Sequence, residues 1–141
     1  MEANVPLEGS VWVVDDDRSI RWVLDRALSG AGFTTRCFDS AENMLNAFMR
    51  ESPETVVTDI RMPGMDGLKL MEAIHDKIPE MPVIVMTAHA DLDRAVAAYQ
   101  NGAFEYLPKP FDVDDAVSIV RRALAAVAPS TLPDTTEQDE G

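Results

Sequence analysis

The sequence predicts an α/β fold: a five-stranded parallel sheet in the order 2-1-3-4-5, with helices on both faces. Short, nearly unbroken apolar runs alternate five times with segments of helical period. Runs of this kind suit strands buried on both faces, and their alternation with helices is the pattern of a parallel sheet. Four of the runs also end in residues suited to one chemistry. Val11-Trp12-Val13-Val14 leads into Asp15-Asp16-Asp17, Thr55-Val56-Val57-Thr58 into Asp59, Val83-Ile84-Val85-Met86 into Thr87, and Phe104-Glu105-Tyr106-Leu107-Pro108 into Lys109. In parallel strands all four ends gather at one edge of the sheet. Right-handed crossovers leave few windings for five strands, and 2-1-3-4-5 is the commonest. Its ligand crevice opens at the carboxyl ends of strands one and three, where Asp15, Asp16 and Asp59 stand.

After the first strand, Ile20, Val23, Leu24, Ala27 and Leu28 recur at helical spacing, with Asp17 as the cap and Gly30 and Gly32 as the stop. Phe33 to Phe38 is the second strand. Ser40 can cap a helix whose apolar face is Ala41, Met44, Leu45 and Phe48, and Pro53 separates it from the third strand, Thr55 to Thr58. The loop Arg61-Met62-Pro63-Gly64-Met65-Asp66-Gly67 precedes a helix carrying Leu70, Met71, Ile74 and Ile78, closed by Pro79. The fourth strand is Val83 to Thr87. A helix over about 91–101 follows, stopped by Gly102, and then the fifth strand, Phe104 to Leu107. Asp112 caps a last helix with Val113, Ala116, Val117, Val120, Leu124 and Val127 turned inward.

At 141 residues and 46% hydrophobic content, the chain can bury one ordinary core and leaves no room for a second folded unit. Residues 11–128 are expected to form that domain. Residues 1–10 are expected to be a disordered N-terminus, and 129–141, with four acidic and no basic residues, a disordered acidic tail or linker. The 25 acidic residues outweigh 12 basic ones, and the net charge of −13 repels nucleic acid and anionic membranes, so direct binding to either is not expected. The single cysteine, Cys37, cannot form an internal disulfide and reads as a buried thiol. Met1 to Ser10 lacks the features of a signal peptide, and no apolar run approaches the roughly 20 residues of a membrane span. The expected location is the cytoplasm.

Crowded carboxylates repel one another, and a divalent cation resolves the conflict. Magnesium suits the set, because it takes oxygen ligands and is usually held by one or two carboxylates plus phosphate oxygens. An ionised aspartate is already a nucleophile at neutral pH. Asp59 can therefore attack a phosphoryl donor while the metal and Lys109 neutralise the equatorial oxygens and Thr87 donates a hydrogen bond to one of them, leaving an acyl phosphate on Asp59.

Each feature also has an ordinary structural reading. The aspartate triplet could simply favour a helix N-terminus, although only Asp17 needs that explanation. It is not an EF-hand, since Arg18 and Ser19 break the alternation of oxygen ligands. His75 reads as a solvated helix residue and His89 as a loop residue that could overhang the site. The face made by Leu92, Ala95, Val96 and Tyr99 reads first as a stripe turned to the core and second as a partner surface. Being weak and rich in alanine, it makes its helix the least firmly packed of the five and the best placed to move.

Taken together, Val-Val-Asp-Asp-Asp, Thr-Asp-Ile-Arg-Met-Pro-Gly-Met-Asp-Gly, Met-Thr-Ala and Tyr-Leu-Pro-Lys-Pro-Phe make the chain resemble the receiver domain of two-component response regulators over about Val11 to Val127, most closely the nitrogen-regulatory branch of that family. The resemblance implies that Asp59 accepts phosphate from a sensor histidine kinase. Asp16 would hold Mg2+ directly, Asp15 directly or through water, and the Arg61 backbone carbonyl would complete the protein ligands alongside Asp59. Thr87 and Lys109 would bind the phosphoryl group, Tyr106 would be the switch aromatic, and the Lys109–Pro110 bond would be cis. Leu92, Val96 and Tyr99 would belong to an output surface on the fourth helix and fifth strand. That surface would serve an output domain or partner protein, or self-association on phosphorylation, and would control an output such as transcription. Such a domain assists its own phosphorylation and dephosphorylation without being an enzyme in the ordinary sense.

The rival reading is a haloacid-dehalogenase-like phosphatase, with Asp15 as nucleophile and Asp17 as acid/base. It leaves Asp59 idle and lacks the further acidic pair that such a site needs.

Overall fold

The structure, a computed structural model, describes residues 9–88 and 91–127. Its elements alternate strictly: β1 (Ser10–Val14), α1 (Arg18–Gly30), β2 (Thr34–Phe38), α2 (Ala41–Phe48), β3 (Thr55–Asp59), α3 (Gly67–Lys77), β4 (Val83–Ala88), α4 (Leu92–Gln100), β5 (Glu105–Lys109) and α5 (Val113–Val127). All four strand pairings are parallel, and the order is β2-β1-β3-β4-β5, as the sequence predicts.

Alternate residues of each strand point to opposite faces, which divides the core into two layers. Trp12, Val14, Val56, Val83 and Val85 pack beneath α2, α3 and α4, against Met44, Phe48, Leu70, Ile74, Ala95 and Ala98. Val11, Val13, Val57, Ile84 and Met86 pack beneath α1 and α5, against Leu24, Leu28, Ala116, Val120 and Ala123. Leu24 and Leu28 are fully buried, and truncating either to alanine would cost about 2–5 kcal/mol.

The expected caps of α1, α2 and α5 form. Asp17 accepts from the amides of Ser19 and Ile20, Ser40 from Asn43 and Asp112 from Asp114. Asp66 caps α3 by accepting from the Lys69 amide at 3.0 Å.

Several boundaries differ from expectation. The sheet begins at Ser10, inside the stretch expected to be disordered. Ser10 is buried, pairs with Thr34, and accepts the Glu54 amide on its carbonyl. Its backbone rather than its side chain does the work, which is why hydropathy missed it. β5 is displaced towards its C-terminus and contains Pro108, whose missing N–H is tolerable because β5 is an edge strand. Residues 1–8 and 128–141, and His89, lie outside the described residues.

Two readings of helix faces need correction. α4 buries Ala95 and Ala98 and leaves Leu92, Val96 and Tyr99 at 43%, 42% and 53% exposure. An alanine-rich helix carries too weak a periodic signal to fix which side docks. His75 is half-buried rather than solvated, with Nε2 at 2.9 Å from the Met81 carbonyl, so it ties the end of α3 to the approach to β4.

Candidate functional site

Strand register assembles the site. Val14 pairs with Thr58, so Asp15, one residue past β1, lies level with Asp59 at the end of β3. Asp59 pairs with Met86, which puts Thr87 one step further along β4. Lys109 pairs with Ala88 at the end of β5. One ligand oxygen from each of Asp15, Asp16 and Asp59 falls within 4.8 Å of the others, with Asp15 and Asp59 buried and Asp16 exposed.

The Lys109 ammonium bridges the two buried carboxylates, at 2.9 Å from Asp15 Oδ2 and 3.2 Å from Asp59 Oδ1. The other Asp15 oxygen accepts from the Asp17 amide at 2.8 Å, and Arg21 donates to the Asp15 carbonyl at 2.7 Å. Asp15 is thus held from three sides. The Lys109–Pro110 peptide is cis, as the resemblance implies.

Three carboxylates face one ammonium, and the two buried ones, Asp15 and Asp59, titrate above the ordinary carboxylate range, chiefly because they are buried. Burial first, and then the Asp15 charge, push the Asp59 carboxyl up to about 6, although Lys109 pulls it down. Burial likewise raises Asp15 despite its hydrogen bond from Lys109. Burial works to lower Lys109, but its hydrogen bond and attraction to Asp15, with help from Asp59, outweigh this and raise it. Oxygen donors in excess negative charge, two of the three carboxylates buried, are the donor set a hard divalent cation takes, so the residues fit Mg2+.

Gly67 closes the site from behind. A Cβ there would lie 2.2 Å from the Asp59 carbonyl oxygen, and the Gly67 amide donates to the Ile60 carbonyl at 2.8 Å. Only glycine lets α3 begin this close to the end of β3. The Asp-Gly pair 66–67 was a visible signal for this turn, whereas nothing marked the contact with Asp59.

The remaining expected residues are arranged less tightly. Thr87 is buried at its strand end, with its hydroxyl donating to the Ala88 carbonyl at 3.0 Å. Tyr106 is half-buried and packs against the layer containing Ala95 and Ala98. Arg61 lies just beyond β3, and its guanidinium binds Asp91, which precedes α4. That pairing was invisible in the sequence, as was Arg94 with Asp66. Cys37 is half-buried, and burial pushes its thiol up, away from reactivity. No helix among the described residues is long and apolar enough to cross a membrane.

Acidic residues converge at the carboxyl edge of a 2-1-3-4-5 sheet, bridged by a lysine from the last strand, and the chain belongs to the response regulator receiver domain family, whose profile matches residues 11–121. Within that family it is a receiver of the NtrC type. It is 59% identical over 117 residues to the DNA-binding transcriptional regulator NtrC of Escherichia coli strain K12, covering 83% of this chain and 25% of that protein. The apo receiver domain of nitrogen regulatory protein C superposes with a TM-score of 0.78 at 57% identity, covering 85% of this chain and 97% of that one. The BeF3-activated form of that receiver gives 0.74 at 58% identity, covering 84% and 95%. The chain spans about a quarter of the length of the curated regulators it matches.

The haloacid-dehalogenase reading has no support in these comparisons. The Asp17 carboxylate caps α1 instead of standing free as an acid/base.

Proposed function

We propose that Asp59 is the phosphoacceptor and that a sensor histidine kinase is the donor. The observation that carries this is the Lys109 ammonium shared between Asp15 and Asp59, with Asp16 alongside. An Asp59 oxygen attacks the phosphorus of a phosphohistidine, forming an O–P bond as the N–P bond breaks and the imidazole departs with the electron pair. Lys109 compensates charge on the transferred group, and Thr87 turns its hydroxyl from the Ala88 carbonyl towards a phosphoryl oxygen. Asp15, Asp16, Asp59 and the Arg61 carbonyl hold Mg2+, which supplies charge neutralisation for the incoming phosphoryl group. The same residues support the chain's part in its own phosphorylation and dephosphorylation.

The phosphoryl group adds about −1.5 to −2 charges at a place with a cationic partner ready, and favours the conformer in which Thr87 and Lys109 close on it. Tyr106, packed against the layer beneath α4, follows Thr87, and Leu92, Val96 and Tyr99 form the surface read by an output domain, a partner protein or a second copy. Residues 11–128 act as the receiver, with 129–141 as an acidic tail or linker. In a protein of the NtrC kind the controlled process is transcription in nitrogen regulation.

Labelling with acetyl phosphate and Mg2+ tests this reading. Asp59→Asn abolishes incorporation, while Asp15→Asn reduces it without moving the acceptor. Label retained in the Asp59 variant overturns the assignment.

A further inference from the structure

The loop joining β3 to α3 is fastened to the start of α4 at both of its ends. At its beginning, Arg61 Nε donates to both Asp91 oxygens, at 3.0 and 2.8 Å, and Nη2 donates to Oδ1 at 2.7 Å. At its end, Asp66 uses one oxygen to cap α3 and the other to bind Arg94 Nη2 at 2.6 Å. Asp91 and Arg94 lie three positions apart, at the entry and in the first turn of α4.

Two features separate the Arg61–Asp91 pair from ordinary surface ion pairs, which contribute little. Asp91 stands where an aspartate would usually cap a helix, yet it makes no side-chain cap bond and gives its whole carboxylate to Arg61. It is also 5% exposed, so its carboxylate is enclosed with Arg61 as its ion-pair partner. α4 in turn offers the core only Ala95 and Ala98 as fully buried side chains, so apolar burial fixes its position weakly. The two ion pairs therefore add a polar fastening between the loop and α4 to the apolar contacts that α4 makes with the sheet.

We propose that Asp91 and Arg94 are positioning residues for the cation site, acting through the loop 61–66 to hold the Arg61 backbone carbonyl where a Mg2+ ion needs it. This rests on the proposed reading of Asp15, Asp16, Asp59 and the Arg61 carbonyl as that ion's protein ligands. Neither Asp91 nor Arg94 touches the ion. By linkage, a partner that displaces α4 weakens cation binding, and bound cation favours the docked α4 by the same factor.

The experiment is a titration of the full chain with MgCl2, followed by calorimetry and by amide shifts. It compares the parent with Asp91→Asn, Arg94→Met and Arg36→Met, the last removing the remote, exposed pair of Arg36 with Glu51. Asp91→Asn and Arg94→Met each weaken Mg2+ binding about tenfold, in the range seen for outer partners of metal ligands, and Arg36→Met leaves it unchanged. Their acetyl-phosphate labelling rates return to the parental value at saturating Mg2+. In the metal-free protein, amides of 61–67 exchange faster in both. Parental Mg2+ affinity in Arg94→Met, a change at a half-buried side chain outside the core, together with the same result in Asp91→Asn, overturns the proposal. Failure of the parent to bind Mg2+, or binding that survives Asp16→Asn, instead overturns the cation site on which it rests.

Discussion

Lys109 and Asp59 meet at 3.2 Å across the carboxyl edge of the sheet, yet the lysine lies closer to Asp15, at 2.9 Å. The ammonium is therefore divided between Asp59, the proposed acceptor, and its neighbour, and a phosphoryl group on Asp59 would compete with Asp15 for it. Replacing Lys109 by methionine leaves the carboxylates with no ammonium at this position. The Asp59 carboxyl of the metal-free variant then titrates above the parental value of about 6, read by carbon NMR of labelled aspartate. An unchanged or lower value refutes the role of Lys109 in the balance.

Asp59 also weakens the fold. Its carboxyl titrates near 6 in the folded chain against an ordinary value of 3.8, so the folded state holds the proton more tightly. The sign follows: stability is lost as pH rises from about 4 through 6, and the loss is complete at neutral pH. Asp59→Asn is expected to stabilise the metal-free protein at pH 7.5 by about 1–3 kcal/mol, with Asp15 sharing the titration. The advantage fades as pH falls through 6 and vanishes near 4. Urea unfolding across this range measures it, and a variant less stable than the parent at pH 7.5 contradicts it.

Gly67 tolerates no side chain. With the Asp59 carbonyl 2.2 Å from the would-be Cβ, Gly67→Ala must shift backbone on one side or the other. The expected loss is about 3 kcal/mol or more, larger than the penalty for glycine at an ordinary helix start. Phosphorylation should slow as well, because the displaced segment carries Asp59, the proposed acceptor. Gly30→Ala, with nothing within 4 Å, is the matched control and should be neutral or better in thermal unfolding.

Leu92, Val96 and Tyr99 already face solvent, so polar replacements there should change stability by no more than about 0.5 kcal/mol. Their effect belongs to the switched state. Amide exchange across 91–101 is expected to differ with and without beryllium fluoride, and the Val96→Gln variant should lose whatever association accompanies that change. Identical exchange in the two states removes these residues from the output surface.

The fold was legible because its signals are local. Unbroken apolar runs, helix caps at Asp17, Ser40 and Asp112, and glycine or proline stops each follow from a few neighbouring residues, and parallel winding brings the strand ends together. The meeting of Asp15, Asp16, Asp59 and Lys109 follows from the same logic, because each stands at or just beyond the end of a strand. The docking side of α4, the half-buried setting of His75 and the inclusion of Ser10 in the sheet were not legible. Each depends on what a distant segment places opposite the residue.

Consecutive residues carry the α/β class, the strand order and the set of acidic and basic groups at one edge of the sheet, since periodicity and strand-end chemistry are local. The folded packing alone shows that Lys109 is shared between two aspartates, that Gly67 backs Asp59, and that Arg61 and Asp66 grip α4. Those contacts join segments about 30 or more residues apart, except for Gly67 and Asp59, which a tight turn brings together. Which side chains satisfy a buried charge is set by the packing of whole elements, a property no local pattern carries.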